Sequence, residues 1–188
     1  LNSHVGDVDT AKTLAAKNIE VVESEEREPV IVCSGGCGAR MKEYGHLFDD
    51  NSDLKDKAEN LGDRIVDINK FLNDMTCKVP DSRLKYSVTY QDSCHLTNVQ
   101  GVRDEPREIL KSIPGITFKE MENAKICCGA GGNFMMVEPE MSTSVLSMKM
   151  ECIKNTGTDV VVVSNPGCFM QLETGIKNKG LDMSVKYI

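Results

Sequence analysis

No stretch of this 188-residue sequence approaches the roughly 18 consecutive apolar residues of a membrane-spanning helix, so a helical transmembrane segment is excluded. Positive charge is also in short supply. Lysine and arginine number 22 against 29 aspartates and glutamates, a formal net charge of −7 with a pI near 5.0. That balance argues against nucleic acid as a partner. No leader is legible: Leu1-Asn2-Ser3-His4 is polar, with no basic region and apolar stretch behind it. An initiator methionine is missing too, and the expectation is that residue 1 is not the natural start. Gly129-Ala130-Gly131-Gly132 lacks the lysine and spacing of a phosphate loop. No residue has the setting of a general base or nucleophile, so any organic substrate is expected to be handled by another polypeptide.

Cysteine, by contrast, is abundant, with eight in the chain. An even count in a small secreted protein would read as disulfides. Here 40% hydrophobic content and amphipathic helical patterns support a packed core without staples, which favours a reduced cytosolic setting and metal or cluster ligands. The cysteines that matter most are Asp92-Ser93-Cys94-His95, Cys127-Cys128-Gly129 and Asn165-Pro166-Gly167-Cys168. Adjacent cysteines rarely bridge each other, because the enclosed peptide is strained. If a turn aims both the same way, they join Cys94 and Cys168 as four thiolates from three segments. That is the requirement of a zinc ion or an iron–sulfur cluster.

The pattern along the chain alternates helix and strand. Val8 to Val22 keeps helical spacing. Pro29 to Val32 reads as a buried strand ending in a tight glycine turn, Cys33-Ser34-Gly35-Gly36-Cys37-Gly38, with a helix over Ala39 to Phe48. Leu54, Ala58, Leu61, Ile65, Ile68, Leu72 and Met75 recur at spacings of four and three, which predicts a core-facing helix pair. Pro80-Asp81-Ser82 marks a turn. Strands are expected over Tyr86–Tyr90, Ile116–Met121, Val160–Val163 and from Ser184, with helices over Arg103–Ile113, Pro139–Asn155 and from Cys168 to near Gly180. Four consecutive valines at Val160 to Val163 read as a strand covered on both faces. Alternation of this kind implies parallel sheets, with each cysteine cluster at a strand's carboxyl end, where open α/β sheets place their sites.

An internal repeat is also legible. Pro29 to Cys37 resembles Val160 to Cys168 at an offset of 131 residues, placing Cys37 on Cys168 and Gly36 on Gly167, each strand preceded by a helix of similar length. By the same offset, the counterparts of Cys127 and Cys128 would fall three to five residues before Leu1. The expected architecture is α/β, two Rossmann-like lobes with parallel sheets, split near residues 78 to 84.

Cys94, Cys127-Cys128-Gly129 and Asn165-x2-Cys168 together resemble the CCG, or cysteine-rich, domain, which occurs in tandem in iron–sulfur subunits. Within that family the similarity is greatest to the glycolate oxidase iron–sulfur subunit. It is carried by Leu1 to Gly6, Gly36-Cys37-Gly38-Ala39, Lys42-Glu43-Tyr44-Gly45-His46, Cys94-His95-Leu96 and Asn165-Pro166-Gly167-Cys168. The resemblance implies that residues 1–78 are the tail of a first CCG repeat and residues 79–188 a second. It implies an electron-transfer subunit whose N-terminal ferredoxin-like region is absent from this sequence. A flavin-containing dehydrogenase subunit would oxidise a 2-hydroxy acid such as glycolate or lactate, and electrons would pass to an acceptor such as quinone. The implied location is cytoplasmic, peripheral on the inner face of the membrane. Cys94, Cys127, Cys128 and Cys168 would hold one [4Fe–4S] cluster, with a zinc site as the alternative. Heterodisulfide-reductase relatives carry a fifth cysteine where this chain has Asn165, which argues against disulfide-cleaving chemistry. Cys37 would be a ligand of the first repeat's site.

Other residues have plainer readings. Cys33 is a spare thiol, and Cys77 and Cys152 are ordinary small residues. His95 either hydrogen-bonds a cluster sulfur or packs locally, and Asn165 either caps the following turn or supports the cluster. His4 and His46 read as surface or turn positions, and the methionines from Met135 to Met150 as packing.

Overall fold

The computed structural model describes residues 2–23, 28–50, 52–75 and 84–188. A 3-10 turn at Asn2–Val5 leads into α1 (Val8–Glu23), followed by β1 (Val30–Val32), α2 (Gly35–Lys42) and a second 3-10 turn at Tyr44–Leu47. Next come α3 (Asp53–Arg64), β2 (Ile65–Asp67) and α4 (Ile68–Asp74). The second half runs β3 (Tyr86–Tyr90), α5 (Cys94–Asn98), α6 (Glu105–Ser112), β4 (Ile116–Phe118), α7 (Phe134–Val137), α8 (Pro139–Thr156), β5 (Val160–Val163), α9 (Pro166–Lys179) and β6 (Ser184–Tyr187).

All strand pairings among the described residues are parallel. β1 pairs with β2, and a second sheet has the order β4-β3-β5-β6. The chain leaves β3 to build β4 on one side, then returns to build β5 on the other. The reversal makes the gap between β3 and β5 the topological switch point, where open α/β sheets bind their ligands. Both faces of β5 are covered, as its valines require. Val161 and Val163 pack with Leu146, Met150, Ile153 and Leu172 of α8 and α9, whereas Val160 and Val162 pack with Val88, Tyr90 and Leu110. The first sheet has its own core, of Ala15, Ile19, Leu47, Ala58, Leu61 and Ile65.

The 131-residue offset holds in the fold. It carries the first residue of α1, Val8, onto that of α8, Pro139, and the N-cap Ser34 of α2 onto the N-cap Asn165 of α9. The two halves touch where these related loops meet. Gly35 donates its N–H to the Ser164 carbonyl (2.9 Å), Asn69 Nδ2 donates to Ser164 Oγ (3.3 Å), and the Tyr187 hydroxyl donates to the Cys33 carbonyl (2.7 Å).

Several details differ from the sequence reading, among them the end of β4 at Phe118 and not Met121. The glycine turn after β1 is the first turn of α2, which begins at Gly35 because Ser34 Oγ accepts the Cys37 N–H as an N-cap. The following helix ends at Lys42, not Phe48, and gives way to the 3-10 turn. The stripe from Leu54 to Met75 is not a helix pair alone, since β2 interrupts it at Ile65–Asp67. Cys77, the Pro80-Asp81-Ser82 turn and nearly all of the expected boundary at 78 to 84 lie outside the described residues.

Candidate functional site

The switch point gathers the thiols. β3 ends at Tyr90, and Gln91-Asp92-Ser93 delivers Cys94 as the first residue of α5. β5 ends at Val163, and Ser164-Asn165 delivers Cys168 in the first turn of α9. The connection from β4 to α7 brings in Cys127 and Cys128. Cys128 and Cys168 are buried, Cys94 is half-buried and Cys127 is exposed. The four thiols lie close enough to influence one another, and Cys128 Sγ donates to Cys168 Sγ at 3.1 Å.

The thiols shift one another in opposite directions. Cys127 is held well below the usual thiol range by hydrogen bonds from Cys128 and Cys94, helped by the Gly129 N–H (3.3 Å) and the Lys149 ammonium. Cys168 is also lowered, chiefly by the hydrogen bond from Cys128 and further by Asn165 and Lys149. Cys94 is pushed up by its hydrogen bond to Cys127 and by burial, and Cys128 by its bonds to Cys127 and Cys168. Cys168 also lies at the positive end of α9, which favours a thiolate.

Surrounding groups fix the loops. Gln91, buried, donates from Nε2 to the carbonyls of Asp92 (2.7 Å) and Ile126 (3.3 Å), tying the Cys94 segment to the residue before Cys127. Arg107 grips Asp92 through two bonds (2.8 and 3.1 Å) and Glu120 through two more (both 2.8 Å), with its guanidinium 5.3 Å from the Tyr90 ring centre. Ser142 Oγ donates to the Gly129 carbonyl and accepts from Gln171 Nε2, both at 2.8 Å, which joins the double-cysteine loop to α8 and α9. Lys149 Nζ donates to the carbonyls of Asn123 and Ala124, each at 3.0 Å.

Of the sequence-predicted residues, Cys94, Cys127, Cys128 and Cys168 come together, and Cys37 does not join them. Cys37 stands exposed near the start of α2, the position Cys168 has in α9. Cys33 is exposed at the end of β1, and Cys152 lies on α8 against the core. His95 Nδ1 is 3.5 Å from Cys94 Sγ. Asn165 makes no side-chain cap to its own helix. Its Nδ2 points to Cys168 Sγ at 3.6 Å, and its Oδ1 accepts the Gly36 N–H at 3.2 Å. Lys149, Gln91 and Arg107 escaped the sequence reading. Only Lys149 left a signal there, sitting at a core-facing position of the helical stripe with Leu146 and Ile153.

The donor set fits a thiolate-bound group. Four sulfurs come from three segments, with a buried ammonium and a helix N-terminus beside them. Cys128 and Cys168 are in contact, and among the described residues no three His, Cys, Asp or Glu side chains stand ready to hold a metal ion. Around a tetrahedral zinc with Zn–S bonds of about 2.3 Å, sulfurs stand about 3.8 Å apart. The 3.1 Å contact of Cys128 with Cys168 is therefore a thiol–thiolate hydrogen bond and not the spacing of bound ligands.

A doubly wound parallel sheet with a vicinal cysteine pair and two further cysteines at its switch point defines a cysteine-rich α/β module. The chain belongs to the cysteine-rich domain family, CCG, whose model matches residues 2–42 and 88–173. It is 40% identical over 190 residues to the probable glycolate oxidase iron-sulfur subunit of Bacillus subtilis, covering 100% of this chain and 43% of that protein. It is 32% identical to lactate utilization protein A of the same organism, covering 97% of this chain and 76% of that protein. A subunit of the CoM/CoB fumarate reductase of Methanothermobacter marburgensis is 34% identical, over 94% of this chain and 33% of that protein. The chain thus spans less than half the length of the first and third of these relatives.

Proposed function

We propose that Cys94, Cys127, Cys128 and Cys168 hold a [4Fe–4S] cluster and that the chain passes electrons within a flavin-linked 2-hydroxy-acid dehydrogenase. The observation that carries this reading is the convergence of three cysteine-bearing segments at the switch point, with Cys128 Sγ 3.1 Å from Cys168 Sγ. Bound there, the cluster supplies one-electron storage. The protein's own groups do the rest. Cys94, Cys127, Cys128 and Cys168 donate sulfur, the Gly129 N–H and Asn165 Nδ2 donate hydrogen bonds toward sulfur, and His95 stands beside Cys94. Such hydrogen bonds tune a cluster's potential.

The flavin-containing partner would oxidise glycolate or lactate, and a quinone would take the electrons at the inner face of the membrane. The similarity to the probable glycolate oxidase iron-sulfur subunit of Bacillus subtilis supports an iron–sulfur subunit of this kind. No described helix is long and apolar enough to cross a membrane, so contact with quinone would be made through a partner or at the surface. Residues 1–78 would be the tail of a first CCG repeat and 79–188 a second, with Cys37 the first repeat's counterpart of Cys168.

The test is anaerobic purification with iron, acid-labile sulfide and zinc measured per chain, and EPR after dithionite reduction. About four irons and four sulfides are expected, with a reduced-cluster signal lost in Cys128→Ser. One zinc with neither iron nor sulfide, even after anaerobic reconstitution, overturns the reading.

A further inference from the structure

Among the described residues, Lys149 is the one buried lysine, and its exposure is 0%. It leaves α8 on the core-facing stripe, between Leu146 and Ile153. Burying an ammonium costs several kcal/mol unless it is hydrogen-bonded and faces compensating charge. The hydrogen bonds are present: Nζ donates to the carbonyls of Asn123 and Ala124 and lies 3.8 Å from Met121 Sδ. Both carbonyls belong to the segment that leads into Cys127. Asn123 is also the only described non-glycine residue with positive φ, at +58°. The lysine therefore clamps a segment that turns sharply just before the double cysteine.

An ammonium sealed from water also needs compensating charge. Burial pushes Lys149 below its ordinary value, and the carboxylate of Asp92 works against that, although both of its oxygens are engaged by Arg107. The segment that Lys149 holds runs directly into Cys127, so four thiolates carrying a cluster would supply the negative charge beside it.

We propose that Lys149 is a positioning residue and the fixed counter-charge of the cysteine set, tying down the loop before Cys127 and raising the reduction potential of the group that the four thiolates hold. This rests on the cluster reading above. Adding one electron to a cluster adds one negative charge, and a fixed positive charge nearby favours that state.

The wild-type chain, Lys149→Gln and Lys149→Arg are reconstituted anaerobically. Iron and sulfide content, circular dichroism and the midpoint potential from an EPR-monitored dithionite titration are then compared. Glutamine keeps a donor for the carbonyls and loses the charge, while arginine keeps the charge. Lys149→Gln is expected to make reduction at least tenfold less favourable, a midpoint about 59 mV more negative for a one-electron couple, with Lys149→Arg staying near wild type. Loss of the cluster by natively folded Lys149→Gln, with the cluster kept by Lys149→Arg, also supports the proposal. It is overturned if the glutamine variant loads and titrates within tenfold of wild type, if both variants shift alike or both lose the cluster, or if Lys149→Gln loses its native circular dichroism. A wild-type chain that takes zinc and no iron instead overturns the cluster reading beneath it.

Discussion

A Cβ on Gly129 would stand 2.5 Å from the carbonyl oxygen of Ser142, and φ at this residue is +87°. Both facts exclude a side chain immediately after the vicinal cysteines. The close approach lets the Gly129 N–H reach Cys127 Sγ while its carbonyl accepts the Ser142 hydroxyl. Gly129→Ala therefore meets conformational strain of about 1–3 kcal/mol together with a backbone clash that the Ser142 contact cannot absorb. The expected outcome is a lower urea midpoint for the metal-free chain and a reduced iron content after reconstitution. A variant as stable as wild type, with full iron loading, would refute this account of the glycine. The requirement was half legible: a glycine after two cysteines is conspicuous in the sequence, but its neighbour Ser142, thirteen residues on, is supplied only by the fold. Lys149 was missed for a different reason. Lysine is read as surface by default, and the stripe that placed it inward was built from the apolar residues around it.

Among the elements, the starts of β3 and β5 are locked together by one carboxylate. Asp159 Oδ2 accepts from both the backbone N–H and the hydroxyl of Ser87, each at 2.7 Å, and its own N–H donates to the Ser87 carbonyl (3.0 Å). The hydrogen bonds from Ser87 hold the Asp159 carboxyl below its ordinary value of 3.8. A depressed acid stabilises the fold above its unfolded-state pKa, and that contribution is lost as pH falls through the folded value. Asp159→Asn is accordingly expected to lower the urea midpoint at pH 7. The difference from wild type should shrink as pH drops below about 3.8, and a gap that stays constant from pH 7 to pH 2.5 would contradict this. Elements with a strong local pattern were legible, β5 and α8 above all. The covered strand needs valine on both faces, and Gly157 at φ +58° ends the helix. β2 was hidden because Leu61, Ile65 and Ile68 continue a helical spacing across it. Three residues are too few to reset the period, and only pairing with β1 makes them a strand. The first turn of α2, Gly35 to Gly38, was read as a loop turn because glycine is a poor helix former. Its start is imposed by the Ser34 cap and by the bond from Gly35 to Ser164.

In the whole molecule, the two related halves meet at their equivalent loops, and Asn165 sits on the seam. The repeat aligns it with Ser34, yet the two residues behave differently. Ser34 caps its own helix, whereas Asn165 reaches across to the Gly36 N–H with one end of its amide and touches Cys168 Sγ with the other. A single side chain thereby connects the buried cysteine of one half to the helix start that carries Cys37 in the other. The sequence offered a cap for the following turn or a hydrogen bond toward the cysteine site, and only the reach across to Gly36 left no trace there. Removing the amide should loosen the seam at a definite place. In Asn165→Ala the Gly36 N–H loses its acceptor, while the adjacent Gly35 N–H keeps its bond to the Ser164 carbonyl at 2.9 Å. Amide hydrogen exchange is expected to accelerate at Gly36 and not at Gly35, with a stability loss of about 1 kcal/mol, the usual worth of one hydrogen bond. Asn165→Asp separates the two ends. It restores an acceptor for Gly36 but turns a carboxylate toward a sulfur already favoured as a thiolate, so Gly36 should be protected again while Cys168 is pushed up toward the protonated thiol. If Gly36 exchanges at the wild-type rate in Asn165→Ala, the amide plays no part in joining the halves, which are then held by the other bonds across the seam, from Gly35 and Asn69 to Ser164 and from Tyr187 to Cys33.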